Sequence, residues 1–322
     1  MRILITGGAG FIGSHLAETL IEAGEEVYII DDLSTGSMDN INLFQAKSSE
    51  NPRLFFYEKS ILDYETMLDL VGTCDMVYHL AAAVGVQYIL DNPLKSIKIN
   101  IQGTEKVLEL CARFKKKVLI ASSSEVYGKH LHAPLVETDN LIYGPSSKFR
   151  WSYAASKLID EFFAIAYHRM NALDIVITRL FNTVGPRQTG AYGMVIPRLV
   201  QQALKNEPLT VYGDGSQTRT FTHVKDVVRA LIALMSTQSA IGETFNIGGT
   251  EEISIKDLAI KIIEKTGSTS TIEFIPYEKA FAKDFEDMQR RVPGIKKIAE
   301  HTGFQPRFTL DDILGEVTSY LR

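Results

Sequence analysis

Short, almost unbroken apolar runs recur along the first half of the chain, separated by segments whose apolar positions repeat with helical spacing. "RILIT" (Arg2 to Thr6), "EVYIID" (Glu26 to Asp31), "RLFFYE" (Arg53 to Glu58), "MVYHLA" (Met76 to Ala81), "KVLIAS" (Lys117 to Ser122) and "IVITRLF" (Ile175 to Phe181) have the pattern of parallel strands buried on both faces. Between them, Ser14 to Ala23, Thr104 to Phe114 and Ala155 to Asn171 read as amphipathic helices. This alternation is a βαβ series, so an α/β fold with a doubly wound parallel sheet is expected. After Phe181 the rhythm changes to loops rich in Gly, Pro and Arg, "GPRQTGAYGM" and "YGDGSQTRTF", interleaved with helices. The pattern divides the chain into residues 1–180, carrying the sheet, and residues 181–322, a second, smaller α/β domain sharing a cleft with the first.

Composition narrows the partners. With 322 residues, 45% of them hydrophobic, the chain can bury the core of one large or two modest domains. A net charge of -5 argues against a nucleic-acid or anionic-membrane surface, though a few local arginines suffice for a small anionic ligand. No apolar run reaches the roughly 20 residues that span a bilayer, and "MRILITGGAG" lacks the features of a signal peptide. A cytoplasmic protein is expected. Two cysteines, Cys74 and Cys111, fit a reducing compartment, and no Cys/His metal spacing occurs.

The first chemical motif is "TGGAGFIGSH". Gly7, Gly10 and Gly13 follow a strand and open a helix, which allows a tight turn and brings backbone amides to a pyrophosphate. Asp31 ends the second strand 18 residues beyond Gly13, where a carboxylate can take both ribose hydroxyls of an adenosine and repel a 2′-phosphate. Strand, glycines, helix, strand and acid in that order indicate a Rossmann domain holding NAD rather than NADP. The second motif, "YAASK", sets Tyr153 and Lys157 four residues apart on one helix face. An adjacent ammonium favours the phenolate, lowering the tyrosine from its usual value of about 10 and suiting Tyr153 to act as a general base on a hydroxyl.

These residues, with "HLAA" at His79 to Ala82, "NIQGT" at Asn100 to Thr104, "SSSEVYG" and "RLFNTVGPRQ", resemble the extended short-chain dehydrogenase/reductase family of nucleotide-sugar epimerases, dehydratases and decarboxylases. The resemblance covers essentially the whole chain. It implies a bound NAD that oxidises a sugar C4 hydroxyl and usually returns the hydride. It also implies a cofactor site that includes Phe11, Ile12, Asp32, Ser60, Ile61, Leu80, Ala81, Ala82 and Asn100, with Lys157 on the nicotinamide ribose. Ser123 would steady the C4 oxygen. Asn182, Arg219 and Arg291 would meet the nucleotide diphosphate, and Arg187 is a further candidate for a uronate. Relatives pair the helices Thr104 to Phe114 and Ala155 to Asn171 into a dimer interface, so a homodimer is expected.

Glu125 separates the members of the family. Simple 4-epimerases generally carry a small or hydroxyl residue before "VYG", whereas a carboxyl there can move a proton at C5. The 4,6-dehydratases place Asp before this Glu, but here Ser124 stands in that position. Ser followed by Glu resembles the UDP-glucuronate decarboxylases, as does Arg150 in "KFRWSY", whose guanidinium fork suits a substrate carboxylate. The expected reaction is decarboxylation of UDP-glucuronic acid to a UDP-pentose, with a UDP-hexose or UDP-hexuronate 4-epimerase as the alternative. A dehydratase and a non-catalytic NAD sensor rank behind both, and an intact Ser123, Tyr153 and Lys157 argue against the sensor. Glu125 also has a purely structural reading, as a strand-end carboxylate bonded to a backbone amide or an arginine.

Overall fold

The computed structural model describes residues 1–45, 53–130, 132–190, 194–280 and 288–322. In chain order the first half runs β1 (Arg2–Thr6), α1 (Phe11–Glu22), β2 (Glu26–Asp31), α2 (Met38–Gln45), β3 (Leu54–Glu58), α3 (Tyr64–Thr73), β4 (Met76–His79), α4 (Val86–Asp91), α5 (Pro93–Phe114), β5 (Lys117–Ser123), α6 (Arg150–Asn171) and β6 (Ile175–Leu180). The second half runs β7 (Thr183–Val184), α7 (Val195–Leu204), β8 (Leu209–Tyr212), β9 (Thr218–Thr220), β10 (Thr222–His223), α8 (Val224–Ser236), β11 (Thr244–Ile247), β12 (Glu252–Ser254), α9 (Ile255–Thr266), β13 (Ile272–Ile275), α10 (Tyr277–Ala280), β14 (Arg290–Arg291), α11 (Lys296–Thr302) and α12 (Leu310–Leu321).

The six apolar runs form the expected strands within a seven-stranded sheet of order β11-β6-β5-β4-β1-β2-β3, every neighbouring pair parallel. The seventh strand comes from beyond residue 180. β11, "TFNI", pairs with β6 in the register Thr244↔Ile177, so residues 181–322 contribute to the sheet as well as to the second lobe. Four residues among loops carry too little periodicity to be recognised as a strand. α5 also starts at Pro93, eleven positions before the predicted Thr104; proline sits at its N-terminus, where its fixed φ is already helical.

Helices cover both sheet faces because the strands are apolar on both sides. Leu16 and Leu20 of α1 and Val227, Leu231 and Leu234 of α8 pack on one face. Met67 and Leu70 of α3, Val107 and Cys111 of α5, and Ala164 of α6 pack on the other. A separate core of Ile196, Leu199, Val211, Leu258, Ile262, Ile313 and Val317 closes the second lobe. Strand order reverses between β1 and β4, and the crevice at the carboxyl ends of such strands is where doubly wound sheets take ligands. Among the described residues, no helix is long and apolar enough to cross a membrane.

Candidate active site

At the reversal point the chain leaves β1 and turns at Gly7 with φ +74°, a conformation that favours glycine. A Cβ on Gly7 would come within 2.7 Å of the Ala81 amide nitrogen, and one on Gly13 would collide with the Gly7 carbonyl. Glycine therefore lets β1, the end of β4 and α1 converge. α1 begins at Phe11 after Gly10, and no side chain caps it, so its first amides are available to an anion.

Asp31 closes the other side of this crevice. Its Oδ2 accepts from the Ala9 amide at 3.0 Å and its Oδ1 from the Leu33 amide at 2.9 Å. Burial raises its pKa against the pull of those amides. The glycine cradle, the uncapped helix and the oriented carboxylate fit the pyrophosphate and adenosine ribose of NAD. Of the side chains the sequence assigned to the cofactor, Asn100 alone stands behind the cavity wall. It accepts from the Ala83 amide at 2.7 Å and donates to Ser156 Oγ at 3.1 Å, bracing the loop after β4.

β5 ends at the same cavity. Its last residue, Ser123, caps a single 3₁₀ turn over Ser124–Tyr127, its Oγ accepting from the Glu125 amide at 3.2 Å. The Ser123 hydroxyl hydrogen remains to be donated elsewhere. α6 presents Tyr153 and Lys157 to the same cavity. The phenol departs from expectation: burial above all, with Glu125 beside it, pushes Tyr153 up, and the opposing pull of the Lys157 ammonium and the Ser123 hydroxyl does not reverse the rise. Lys157 is itself 2% exposed and donates to Asp160 Oδ2 at 3.0 Å.

Glu125 sits among arginines drawn from three parts of the chain. Arg150 Nη2 donates to Oε2 at 3.3 Å and Arg291 Nη2 to Oε1 at 2.5 Å, while Arg291 Nη1 reaches Ser124 Oγ at 3.4 Å. Arg219 lies opposite Arg291 in the β9/β14 register. Burial alone would raise the Glu125 carboxyl, but Arg291, Arg150 and Arg219 outweigh it and hold it at about 2. Three guanidinium groups converge near one carboxylate in this cavity, a grouping that suits an anionic ligand. The carboxylate is paired, as the structural reading of Glu125 expects, and it also lines the cavity.

Asn182 donates to the Thr220 carbonyl at 2.9 Å, next to Arg219, and lines the cavity. Arg187 lines the same cavity and is tied to α1: its Nη2 donates to Glu18 Oε2 at 2.5 Å, and its guanidinium lies 5.3 Å from the centre of the Phe44 ring. The motif "GPRQTGAYGM" continues into residues 191–193, which lie outside the described residues.

Sequence reasoning missed the support behind these groups. Arg179 grips Glu161 with two parallel bonds of 2.9 and 2.8 Å, Ser122 donates to the same carboxylate at 2.6 Å, and the guanidinium lies 4.8 Å from the Tyr127 ring. This buried network locks β5, α6 and β6 together and so fixes Ser123 relative to Tyr153. Arginine beside a buried strand end, with glutamate directly after "KLID", was the available signal.

The cofactor crevice and the arginine cluster belong to one cavity of about 700 Å³. The family model described as GDP-mannose 4,6 dehydratase matches residues 4–317. The UDP-N-acetyl-alpha-D-glucosaminuronate decarboxylase of Bacillus cytotoxicus is 41% identical, covering 100% of this chain and 98% of its own. UDP-glucuronic acid decarboxylase 1 of Arabidopsis thaliana is 36% identical over 100% of this chain and 70% of its own. Among solved structures, UDP-glucuronic acid 4-epimerase from Bacillus cereus, in complex with UDP-glucuronic acid and NAD, superposes with a TM-score of 0.88 at 32% identity, covering 100% of this chain and 99% of that one. With its glycine cradle, its Tyr153/Lys157 pair and a match along nearly its whole length, this chain belongs to the extended short-chain dehydrogenase/reductase family, within the group described as GDP-mannose 4,6 dehydratase.

Proposed function

We propose that the protein decarboxylates a UDP-linked hexuronic acid through a 4-keto sugar, converting UDP-glucuronic acid to a UDP-pentose. The observation that carries this reading is the cluster of Arg150, Arg219 and Arg291 around Glu125, in the same cavity as Tyr153 and Ser123. A nucleotide hexuronate brings a diphosphate and a carboxylate, and both need such partners. The decarboxylases among the relatives support the same substrate class.

NAD, held by the Gly7 to Gly13 cradle and Asp31, would supply the acceptor for the C4 hydride and, once reduced, its donor. As the ketone forms, the C4 hydroxyl proton passes to Tyr153 in its phenolate form, which the Lys157 ammonium favours against the effect of burial. Ser123, whose Oγ already accepts from the Glu125 amide, donates its own hydrogen to the C4 oxygen. The carboxylate then stands β to a ketone. The C5–C6 bond breaks, carbon dioxide leaves, and the electron pair passes into an enolate whose oxygen Tyr153 and Ser123 stabilise. Arg150 holds the departing carboxylate, and Arg219 and Arg291, with Asn182, hold the diphosphate. As these anions draw the guanidinium groups away, Glu125 loses the partners that keep it ionised and can relay a solvent proton to C5.

A 4-epimerase reading is favoured by the likeness to the Bacillus cereus enzyme, in which the keto sugar would turn and take hydride on its other face. Carbon dioxide separates the two. Carboxyl-labelled UDP-glucuronic acid, run beside its 2-acetamido analogue, should release label with one or both; full retention of label with both would refute decarboxylation. The reading includes a cytoplasmic homodimer. Ile159 and Phe162 on α6 and Leu94 on α5 are exposed apolar residues of the two helices that relatives pair, and light scattering measures the assembly.

A further inference from the structure

Asp160 is a buried acid that the mechanism above leaves unused. It follows Lys157 by three positions, so the two lie on one face of α6, and their side chains are 0% and 3% exposed. Lys157 faces the cavity; Asp160 does not. Its Oδ2 takes the ammonium at 3.0 Å, while its Oδ1 is buried with no hydrogen-bond partner among the described residues. An ion pair removed from water is weak evidence of a contribution to stability, since an apolar pair of similar volume often serves the fold as well. A buried acid whose bonded oxygen goes to the cofactor-facing lysine points to that lysine as its purpose.

We propose that Asp160 is a positioning residue for the Tyr153/Lys157 pair: its carboxylate anchors the Lys157 ammonium, offsets its charge, and thereby governs the pH range in which the pair works as a base. This rests on the reading of Tyr153 as the base at C4. The groups facing the phenol are Lys157 and Asp160 from α6, Ser123 from β5 and Glu125 from the 3₁₀ turn. Those facing the ammonium are Asp160, Tyr153 and Glu161, together with His79 of β4, which burial pushes down to about 3 and so keeps neutral. Asp160 in turn feels the Thr104 hydroxyl and Glu161. Around Tyr153, burial is the largest influence and raises the phenol; Lys157 opposes it, and Asp160 acts with burial. Removing the Asp160 charge leaves the ammonium with Tyr153 and Glu161 as its counter-anions, which favours the phenolate.

The test is an ultraviolet titration of the NAD-loaded protein, with Tyr153→Phe subtracted to isolate this one phenol. Asp160→Asn should lower the midpoint by about one pH unit or more. An unchanged or raised midpoint overturns the proposal. In a Lys157→Met background the drop caused by Asp160→Asn should be smaller, because only the direct repulsion between the Asp160 carboxylate and the phenolate remains; a drop as large without the lysine as with it would mean that Asp160 does not act through it, and would also overturn the proposal. Should the Asn variant not fold, Asp160→Ser reads the same shift. The titration needs no sugar. A protein that decarboxylates nothing would still give an answer, and a working decarboxylase with an unmoved midpoint would lose only the role of Asp160.

Discussion

Arg291 and Glu125 meet across 166 positions of sequence, guanidinium Nη2 to carboxylate Oε1 at 2.5 Å. The contact ties the strand β14 to the turn after β5 and, with Arg150, holds the carboxyl at about 2 against an ordinary 4.5. A carboxyl held below its unfolded value stabilises the fold above the unfolded value, and that contribution is lost as pH falls through the folded one. Glu125→Gln should therefore be less stable than the wild type by on the order of 2 kcal/mol near neutrality, with the gap closing between about 4.5 and about 2. Urea unfolding at about pH 7 and about pH 3 checks it. A gap that stays constant with pH would contradict the pairing.

Arg150 should govern the substrate carboxylate. Arg150→Ala is expected to raise the KM for UDP-glucuronic acid by roughly thirtyfold or more, because a buried charge loses its partner. Binding of UDP-glucose, which has no carboxylate, should change far less. Arg150→Lys should fall between, since an ammonium cannot make the planar, two-pronged contact. Steady-state kinetics and calorimetric binding of the two nucleotides measure the difference.

Tyr153→Phe should lose roughly a hundredfold to ten-thousandfold of the rate at which NADH appears after addition of substrate, the range that a positioned acid–base group supplies. Its melting temperature should stay near the wild-type value, since the phenol faces the cavity. Stopped-flow absorbance of NADH separates this loss from any effect on product release.

Asp31→Asn removes a charge while keeping an oxygen for the Ala9 or Leu33 amide. Discrimination against NADP should fall on the order of tenfold as the repulsion of the 2′-phosphate disappears. Calorimetry with each dinucleotide reads it directly.

The sheet was legible because its strands are apolar on both faces, a property of neighbouring residues alone. The same locality concealed β11: "TFNI" becomes a strand through its pairing with β6, a partner some seventy positions earlier. The cofactor cradle was legible because glycine spacing, helix start and acid lie within one βαβ unit. Arg291 was found by family likeness, but its grip on Glu125 depends on how β14 lies along β9. Asp160 and the Arg179–Glu161 lock escaped notice because a charge in a helix or strand looks like a surface charge until its burial is seen. The phenol of Tyr153 shows the same limit, because spacing reveals the lysine beside it and not the depth at which both are buried.

Decarboxylation is most directly tested by running the reaction with UDP-glucuronic acid in heavy water and taking the mass and proton NMR spectra of the nucleotide sugar. The enolate left by carbon dioxide must take a proton at C5 from solvent, relayed by Glu125. The expected product is a UDP-pentose carrying one deuterium at C5. A product that keeps its carboxylate, inverted at C4 and free of deuterium at C5, would contradict the account and make the protein a 4-epimerase.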